Sequence, residues 1–281
     1  MTQGCSIHVG LNRVDPRHYG GWDGELAGCE NDARDMKRIA RSRGFRTQLL
    51  LTRRATSSAV TAAIAEAAET LRSGDILFLT YSGHGGQVPD ENGDEFEDRR
   101  DETWVLFDRE LVDDELYALL GRFEPGVRVA VLSDSCHSGT VTRARRMAEL
   151  RASAPMARAF GIDGERRVKA LPPDVQERTW RRHRALYSRI QRAHPSGERA
   201  AIGASVILIS GCQDNQESAD GDRNGLFTEK VLEVWSAGRF RGGYRRLHRE
   251  IGTRMPPVQT PNYYRVGTPS PSFERQKPFT I

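Results

Sequence analysis

The sequence predicts an α/β fold, with helices covering both faces of a parallel sheet, and three observations carry that prediction. Strand-length apolar runs alternate with helix-length segments along most of the chain. The third of those runs, Asp75 to Ser82 (DILFLTYS), is apolar nearly throughout, as a central strand buried on both faces must be. The composition is ordinary for a globular protein: 281 residues, 37% hydrophobic, 28% charged and 27 glycines, which excludes a disordered or fibrous chain. A chain of this size buries enough surface to build a core without metal or disulfide staples.

Gly4 to Asn12 is the first strand, and Ala33 to Arg43 a helix stopping before Gly44. Thr47 to Leu51 is the second strand, and Ser57 to Leu71 an Ala-rich helix capped by Thr56. After the third strand comes an acidic loop, then an extended piece at Thr103 to Phe107 and a helix over Asp113 to Leu120. Arg128 to Asp134 is the fourth strand, Ser205 to Cys212 the fifth and Asn262 to Val266 the sixth; helices at Gly225 to Ala237 and Tyr244 to Arg254 separate the last two. Residues from about 140 to 204 exceed an ordinary connection and read as a basic insertion. It carries one helix, Asp174 to Ala193, with Val175, Leu186 and Ile190 at helical spacing. The Pro-containing tail from about 256 is expected to wrap over the surface of what reads as a single domain, and with the first strand so early no separate N-terminal segment is expected.

Net charge is only +4 but unevenly spread. Residues 85 to 117 hold 13 acids and 3 bases, whereas 143 to 199 hold 15 bases and 6 acids. The basic stretch lacks interleaved aromatics and any recognition-module signature, so no nucleic-acid partner is expected and a solvated helical face or an intramolecular partner is. Retention on heparin or DNA with a steep salt dependence would argue otherwise. No apolar run has membrane-spanning length and no signal segment opens the chain, so a soluble, cytoplasmic protein with no membrane partner is expected. Four dispersed cysteines without two-residue spacing argue against a zinc site and a disulfide framework. Walker, His-Glu-x-x-His and G-x-S-x-G motifs are absent.

Two strands end in sequences suited to chemistry: Tyr81-Ser82-Gly83-His84-Gly85-Gly86-Gln87 and Asp134-Ser135-Cys136-His137-Ser138-Gly139. Strand C-termini are where a doubly wound sheet presents its ligands. A thiol becomes a nucleophile beside an imidazole that later protonates a leaving amine, and Cys136 with His84 suits that pair. His137, the immediate neighbour of Cys136, is the weaker candidate base. The backbone N–H groups of Gly85 and Cys136 are positioned in sequence to hold the oxyanion of a tetrahedral intermediate. The competing reading is a buried thiol near a phosphate-binding glycine turn.

YSGHGGQ and DSCHSG, in this order and each ending a strand, resemble the His and Cys blocks of the metacaspases and bacterial caspase-like relatives, the clan CD cysteine peptidases. GCENDARD, DDELYALL and SGCQDNQESAD extend the resemblance, which spans about residues 4 to 139 and 204 to 267. It implies a caspase-like three-layer sandwich with a central, mostly parallel six-stranded sheet. It also implies Cys136 as nucleophile, His84 as general acid and base, and an acidic pocket at Cys29, Asp32, Ser82 and Asp134. Such a pocket pairs with Arg or Lys and repels Asp, so the expected function is a cysteine endopeptidase acting on peptides or proteins after basic residues. For Asp32 alone, a helix-start carboxylate favoured by the dipole is the plainer alternative.

Many metacaspases bind Ca2+, and Asp101, Asp113 and Asp114 resemble the metal positions. The sequence departs from the family at Arg143, where calcium-dependent relatives tend to carry an acid, so calcium binding and a calcium-independent enzyme are both open. The DENGDEFED run lacks EF-hand spacing. If the pocket takes bases, Arg145, Arg146, Arg166, Arg167 and Lys169 of the insertion can reach the chain's own cleft and be cut there; the alternative is a packed helix with its arginines in water. A catalytically silent caspase-like interaction or regulatory module is the rival to the enzyme.

Overall fold

The computed structural model describes residues 2–93, 99–136, 167–194, 202–212, 219–221, 223–257 and 259–281. In chain order the first elements are β1 (Gly4–Gly10), α1 (Cys29–Ser42), β2 (Arg46–Leu51), α2 (Ser57–Thr70), β3 (Ile76–Ser82), β4 (Gly85–Pro89), β5 (Arg100–Val105) and β6 (Glu110–Val112). Then come α3 (Asp113–Leu120), β7 (Arg128–Asp134), α4 (Pro173–Ala193), β8 (Ser205–Ser210), α5 (Leu226–Trp235), α6 (Tyr244–Gly252), β9 (Asn262–Gly267) and α7 (Pro271–Arg275).

Six strands form the central sheet in the order β2-β1-β3-β7-β8-β9, with every pairing parallel except β8 with β9. The six are those expected from the apolar runs. Side-chain alternation sends Leu77, Leu79 and Tyr81 of β3, and Val129 and Val131 of β7, into a core shared with α2. Ile76, Phe78, Ala130 and Leu132 face the opposite core, with α1, α5 and α6. Thr56 caps α2 as expected, its hydroxyl accepting from Ala59 N at 3.2 Å. No helix among the described residues is long and apolar enough to cross a membrane.

Three expectations need correction. The stretch after the third strand is not simply an acidic loop: β4, β5 and β6 make a second, antiparallel sheet. Two glycines hide β4, and three residues are too few for β6 to show periodicity. Helix α1 starts at Cys29, ahead of the Ala33 expected from periodicity, with Glu30 and Asp32 as acids of its first turn. The tail does more than wrap the surface. Phe279 is fully buried, with its ring centroid 4.7 Å from that of Phe78 and 5.0 Å from that of Trp235, and Phe273 is buried beside Tyr244. Phe279→Ala is therefore expected to cost about 3–5 kcal/mol, read as a lowered urea midpoint; a change below about 1 kcal/mol would place the tail outside the core after all.

The helix of the insertion, α4, packs on the small sheet. Val175 joins Val14, Tyr19, Val105 and Leu171, while Trp180 and Tyr187 join Val88 and Val112. Its Arg178, Arg181 and Arg184 stay in water, paired with Asp174, Glu177 and Glu91.

Candidate active site

Parallel register brings the two chemical strand ends together. Ser82 of β3 is the direct partner of Asp134 of β7. His84 and Cys136 each follow two residues beyond that pair, at the C-terminal edge of the sheet. His84 is held by its Nε2, 3.0 Å from the carbonyl oxygen of Gly24. A carbonyl can only accept, so Nε2 carries the proton and Nδ1 has its lone pair free. Nδ1 has no hydrogen-bond partner among the described residues. Gly24 has φ +59°, a left-handed conformation that costs glycine little, and Trp22 packs edge-on against the imidazole at 4.7 Å. Burial pushes the imidazole down to about 4, against the raising effects of the Gly24 carbonyl, Asp220 and the Ala170 backbone, so it is neutral at physiological pH.

A strap from the insertion fills the cleft. The Lys169 carbonyl oxygen accepts from Gly85 N and from Cys136 N, each at 3.0 Å, the two donors named from sequence for an oxyanion. Its side chain is fully buried, with Nζ 2.9 Å from Ser82 Oγ, 3.1 Å from Asp32 Oδ2 and 3.1 Å from Asp134 Oδ2. Asp220 Oδ1 stands at 3.9 Å. Burial alone would strip this ammonium of its proton, but the carboxylates of Asp134, Asp32 and Asp220 outweigh it and raise its pKa well above the ordinary value. Downstream, Ala170 bridges Gly85 in parallel and Leu171 N donates to Gly85 O at 2.7 Å. Upstream, Val168 bridges Ala219 and Asp220 N donates to the Arg167 carbonyl. Arg167 itself pairs with Glu25 at 3.0 Å, outside the pocket.

The carboxylates do not depend on the lysine alone. Asp32 accepts from Gly225 N at 3.0 and 3.1 Å and from Asn224 Nδ2 at 2.9 Å. Asp134 accepts from Thr228 N at 3.2 Å and Thr228 Oγ1 at 2.8 Å, both in the first turn of α5, where backbone donors and the helix dipole favour an anion. Burial raises Asp32 to about 6, which leaves it ionised at neutral pH. Asp220 is in turn held by Ala27 N and Gly28 N. Of the four pocket residues expected from sequence, Asp32, Ser82 and Asp134 surround Nζ directly. Cys29 is buried one turn before Asp32, its Sγ 3.9 Å from Asp220 Oδ1, and burial keeps it a thiol. Asp220, Asn224, Gly225 and Thr228 were not picked out, although Asp220 closes the SGCQDNQESAD block.

Asp101, Asp113 and Asp114 also converge: each offers a carboxylate oxygen within 4.8 Å of the others, and Asp114 accepts from Asn92 Nδ2 at 3.0 Å. Such oxygens suit a hard cation. His137, Arg143, Arg145, Arg146 and Arg166, and Asp94 to Asp98 of the acidic run, lie outside the described residues.

Glu110 packs beneath β4. Its Oε2 accepts from Thr103 Oγ1 at 2.7 Å and lies 2.7 Å from where a Cβ on Gly86 would sit. Burial raises this carboxyl to about 7, above its usual 4.5. A raised folded-state pKa contributes stability that is fully present below 4.5 and is lost as pH rises through 7. Buried neutral His8 and His84 act with the opposite sign, so the comparison of wild type with Glu110→Gln isolates the carboxyl. The variant is expected to gain on the order of 3 kcal/mol relative to wild type between pH 4.5 and 8. A pH-independent difference in urea midpoints would show Glu110 to be ionised throughout.

Known proteins match the chain in the same terms. The family model described as the caspase domain matches residues 14–278. Metacaspase-1 of Mycosarcoma maydis is 32% identical over 244 residues, covering 79% of this chain and 59% of that protein. Metacaspase-1 of Eremothecium gossypii is 33% identical over 254 residues, covering 79% and 54%. The chain thus spans a little over half the length of these curated relatives. A crystal structure of a protein from Geobacter sulfurreducens is 50% identical, covers 99% of both chains and superposes with a TM-score of 0.88. Caspase-1 from Spodoptera frugiperda superposes with a TM-score of 0.53 at 11% identity over 94% of this chain and 86% of that one, a likeness of fold.

Proposed function

Since the chain belongs to the metacaspase and caspase-like family of clan CD, we propose that it is a cysteine endopeptidase that cleaves after Lys or Arg and first cuts itself after Lys169. One observation carries the reading: the Lys169 carbonyl lies between Gly85 N and Cys136 N while its ammonium sits among Ser82, Asp32 and Asp134. A peptide bond of the chain is thereby seated as a substrate is. Cys136 Sγ adds to the Lys169 carbonyl carbon as His84 takes the thiol proton, and the two N–H donors hold the oxyanion. Removing one such donor typically costs about 3 kcal/mol. Collapse breaks the Lys169–Ala170 bond, His84 delivers the proton to the Ala170 amine, and a thioester remains on Cys136. Water, activated by His84, then releases the Lys169 carboxylate and restores the thiol.

Substrate choice follows from charge. An Arg or Lys side chain replaces the Lys169 ammonium, whereas an Asp would meet Asp32, Asp134 and Asp220 with like charge in a buried site. Asp101, Asp113 and Asp114 would hold calcium, which supplies positive charge to keep the three carboxylates together. Cytoplasmic residence belongs to the same reading, supported by four cysteines of which none is in a disulfide.

Matched peptides ending in Lys, Arg or Asp at the cleaved position, assayed with calcium and with a chelator, test this. Hydrolysis after Lys and Arg is expected to exceed that after Asp by at least about 10³-fold, the scale of an uncompensated buried charge. Calcium is expected to raise the rate, and Asp101→Asn to remove that response. Equal cleavage after Asp would overturn the acidic pocket, and no cleavage of any peptide would favour the silent interaction module.

A further inference from the structure

The fourth cysteine has no part in the chemistry above, yet it touches the nucleophile. Cys212 follows β8 by two residues and Cys136 follows β7 by two; Ser133 and Ser210 are direct partners across that pair of strands, and Gly211 N donates to Ser133 O at 2.7 Å. Cys136 lies three residues beyond that pair and Cys212 two, so their α-carbons are one strand spacing (~4.8 Å) apart and one residue (~3.3 Å) out of step, roughly 6 Å in all and inside the Cα separation a disulfide tolerates. Their sulfurs already lie 3.4 Å apart. The Cys212 thiol shares its hydrogen between Cys136 Sγ and the Ser135 carbonyl at 3.1 Å, in an apolar nook closed by Val168 and Ala170. Cys136 is fully buried beneath the Lys169 strap, so the strap also shields it from solutes.

We propose that Cys212 is a resolving thiol: when peroxide oxidises Cys136, a Cys136–Cys212 disulfide forms and reversibly silences the site. Cys136 thiolate attacks one peroxide oxygen, the O–O bond breaks and the other oxygen leaves as water after protonation, giving a sulfenic acid. Cys212 sulfur then displaces the sulfenic hydroxyl, which leaves as a second water, and the S–S bond forms. In sum two thiols lose two hydrogens while one hydrogen peroxide becomes two waters. Capture at this stage keeps Cys136 off the irreversible steps to sulfinic and sulfonic acid. The strap sets the order of events: the form with the cleft covered is protected, and displacement of residues 167–171 exposes the pair together.

The silencing rests on Cys136 being the nucleophile, but the bond is read without any assay of activity. The full chain is incubated until self-cleavage is complete or, if none occurs, for the same period, then treated with hydrogen peroxide. Free thiols are alkylated, the protein is digested and its peptides are weighed. The expected result is a cross-linked pair of peptides containing Cys136 and Cys212, two hydrogens lighter than their sum and separated by a thiol reductant. In parallel, peptide hydrolysis is expected to fall at least about tenfold and return to within about twofold of its start on reduction, as a reversible oxidation requires. Cys212→Ser and Cys212→Ala are both expected to keep basal hydrolysis in reducing buffer yet lose it permanently after peroxide, with sulfinic acid on Cys136. Cys136 found over-oxidised in wild type while Cys212 remains alkylated, or both thiols alkylated after treatment, would overturn the proposal. Absent hydrolysis with the cross-link present would instead count against the peptidase reading alone.

Discussion

Incubation of the purified chain is expected to produce two fragments, one ending at Lys169 and the other beginning at Ala170, while Cys136→Ala stays whole. The geometry already meets the conditions that usually limit proteolysis of a folded chain. The carbonyl is engaged by two N–H donors, the side chain is locked by three polar contacts, and both flanks are pinned, by Gly85 on one side and by Ala219 and Asp220 on the other. Orientation of this kind removes much of the entropic part of the barrier before any bond changes. Loss of the nucleophile is expected to slow cutting by at least about 10³-fold. Arg167 lies two residues upstream but pairs with Glu25, so a cut after it is not expected. Intact mass and N-terminal sequencing locate the new ends. A wild-type chain still whole after long incubation, with calcium and without, would remove self-processing; fragments ending at another basic residue would show that Lys169 is not the seated one.

The largest effect from the smallest chemical change is expected at Gly225. A methyl group there would stand 2.2 Å from Lys169 Nζ and 2.4 Å from Asp134 Oδ2, closer than a side-chain carbon approaches an atom it is not bonded to, so the ammonium or the carboxylate must shift. Backbone freedom is not the issue: φ is −59°, which alanine adopts without strain. The residue is a glycine because the chain entering α5 forms a wall of the pocket while its N–H holds Asp32. Gly225→Ala should therefore lower the stability of the uncut chain by about 2–4 kcal/mol, since Lys169 is itself pushed from its carboxylates, and for the same reason lose about 10²- to 10³-fold in kcat/KM toward Lys and Arg peptides. Self-cutting should slow in step. Unchanged kinetics would mean that the pocket's basic side chain lies elsewhere.

Legibility in the sequence followed distance along the chain. Cys136, His84 and Gly85 stand out because glycine and polar residues interrupt apolar strands, and Ser82 and Asp134 come with them since each directly precedes its block. The wall made by Asp220, Asn224 and Gly225 arrives some 90 residues later, and nothing local marks a helix start as facing a pocket made by other strands. Lys169 was one of five basic candidates. What selects it is its spacing from Pro172 and Pro173, where α4 begins and anchors the strap to the small sheet, a fact of tertiary packing. The Cys136–Cys212 contact needed the register of β7 against β8. Among the folded elements, the five mutually parallel strands were plain from apolar pattern alone, while β4 and β6 escaped because hydrogen bonding to β5, rather than burial on one face, defines them.

The bridge between Ala170 and Gly85 makes the strap a short added ribbon beside β4. Whatever replaces it must offer the same straight main chain, with its N–H and C=O groups unspoken for. A lysine within a stable helix has those groups engaged every turn and cannot lie flat there. On the proposed reading, targets would be selected twice over, by a positive charge and by the looseness of the chain around it, and well-folded proteins rich in surface lysine would be spared.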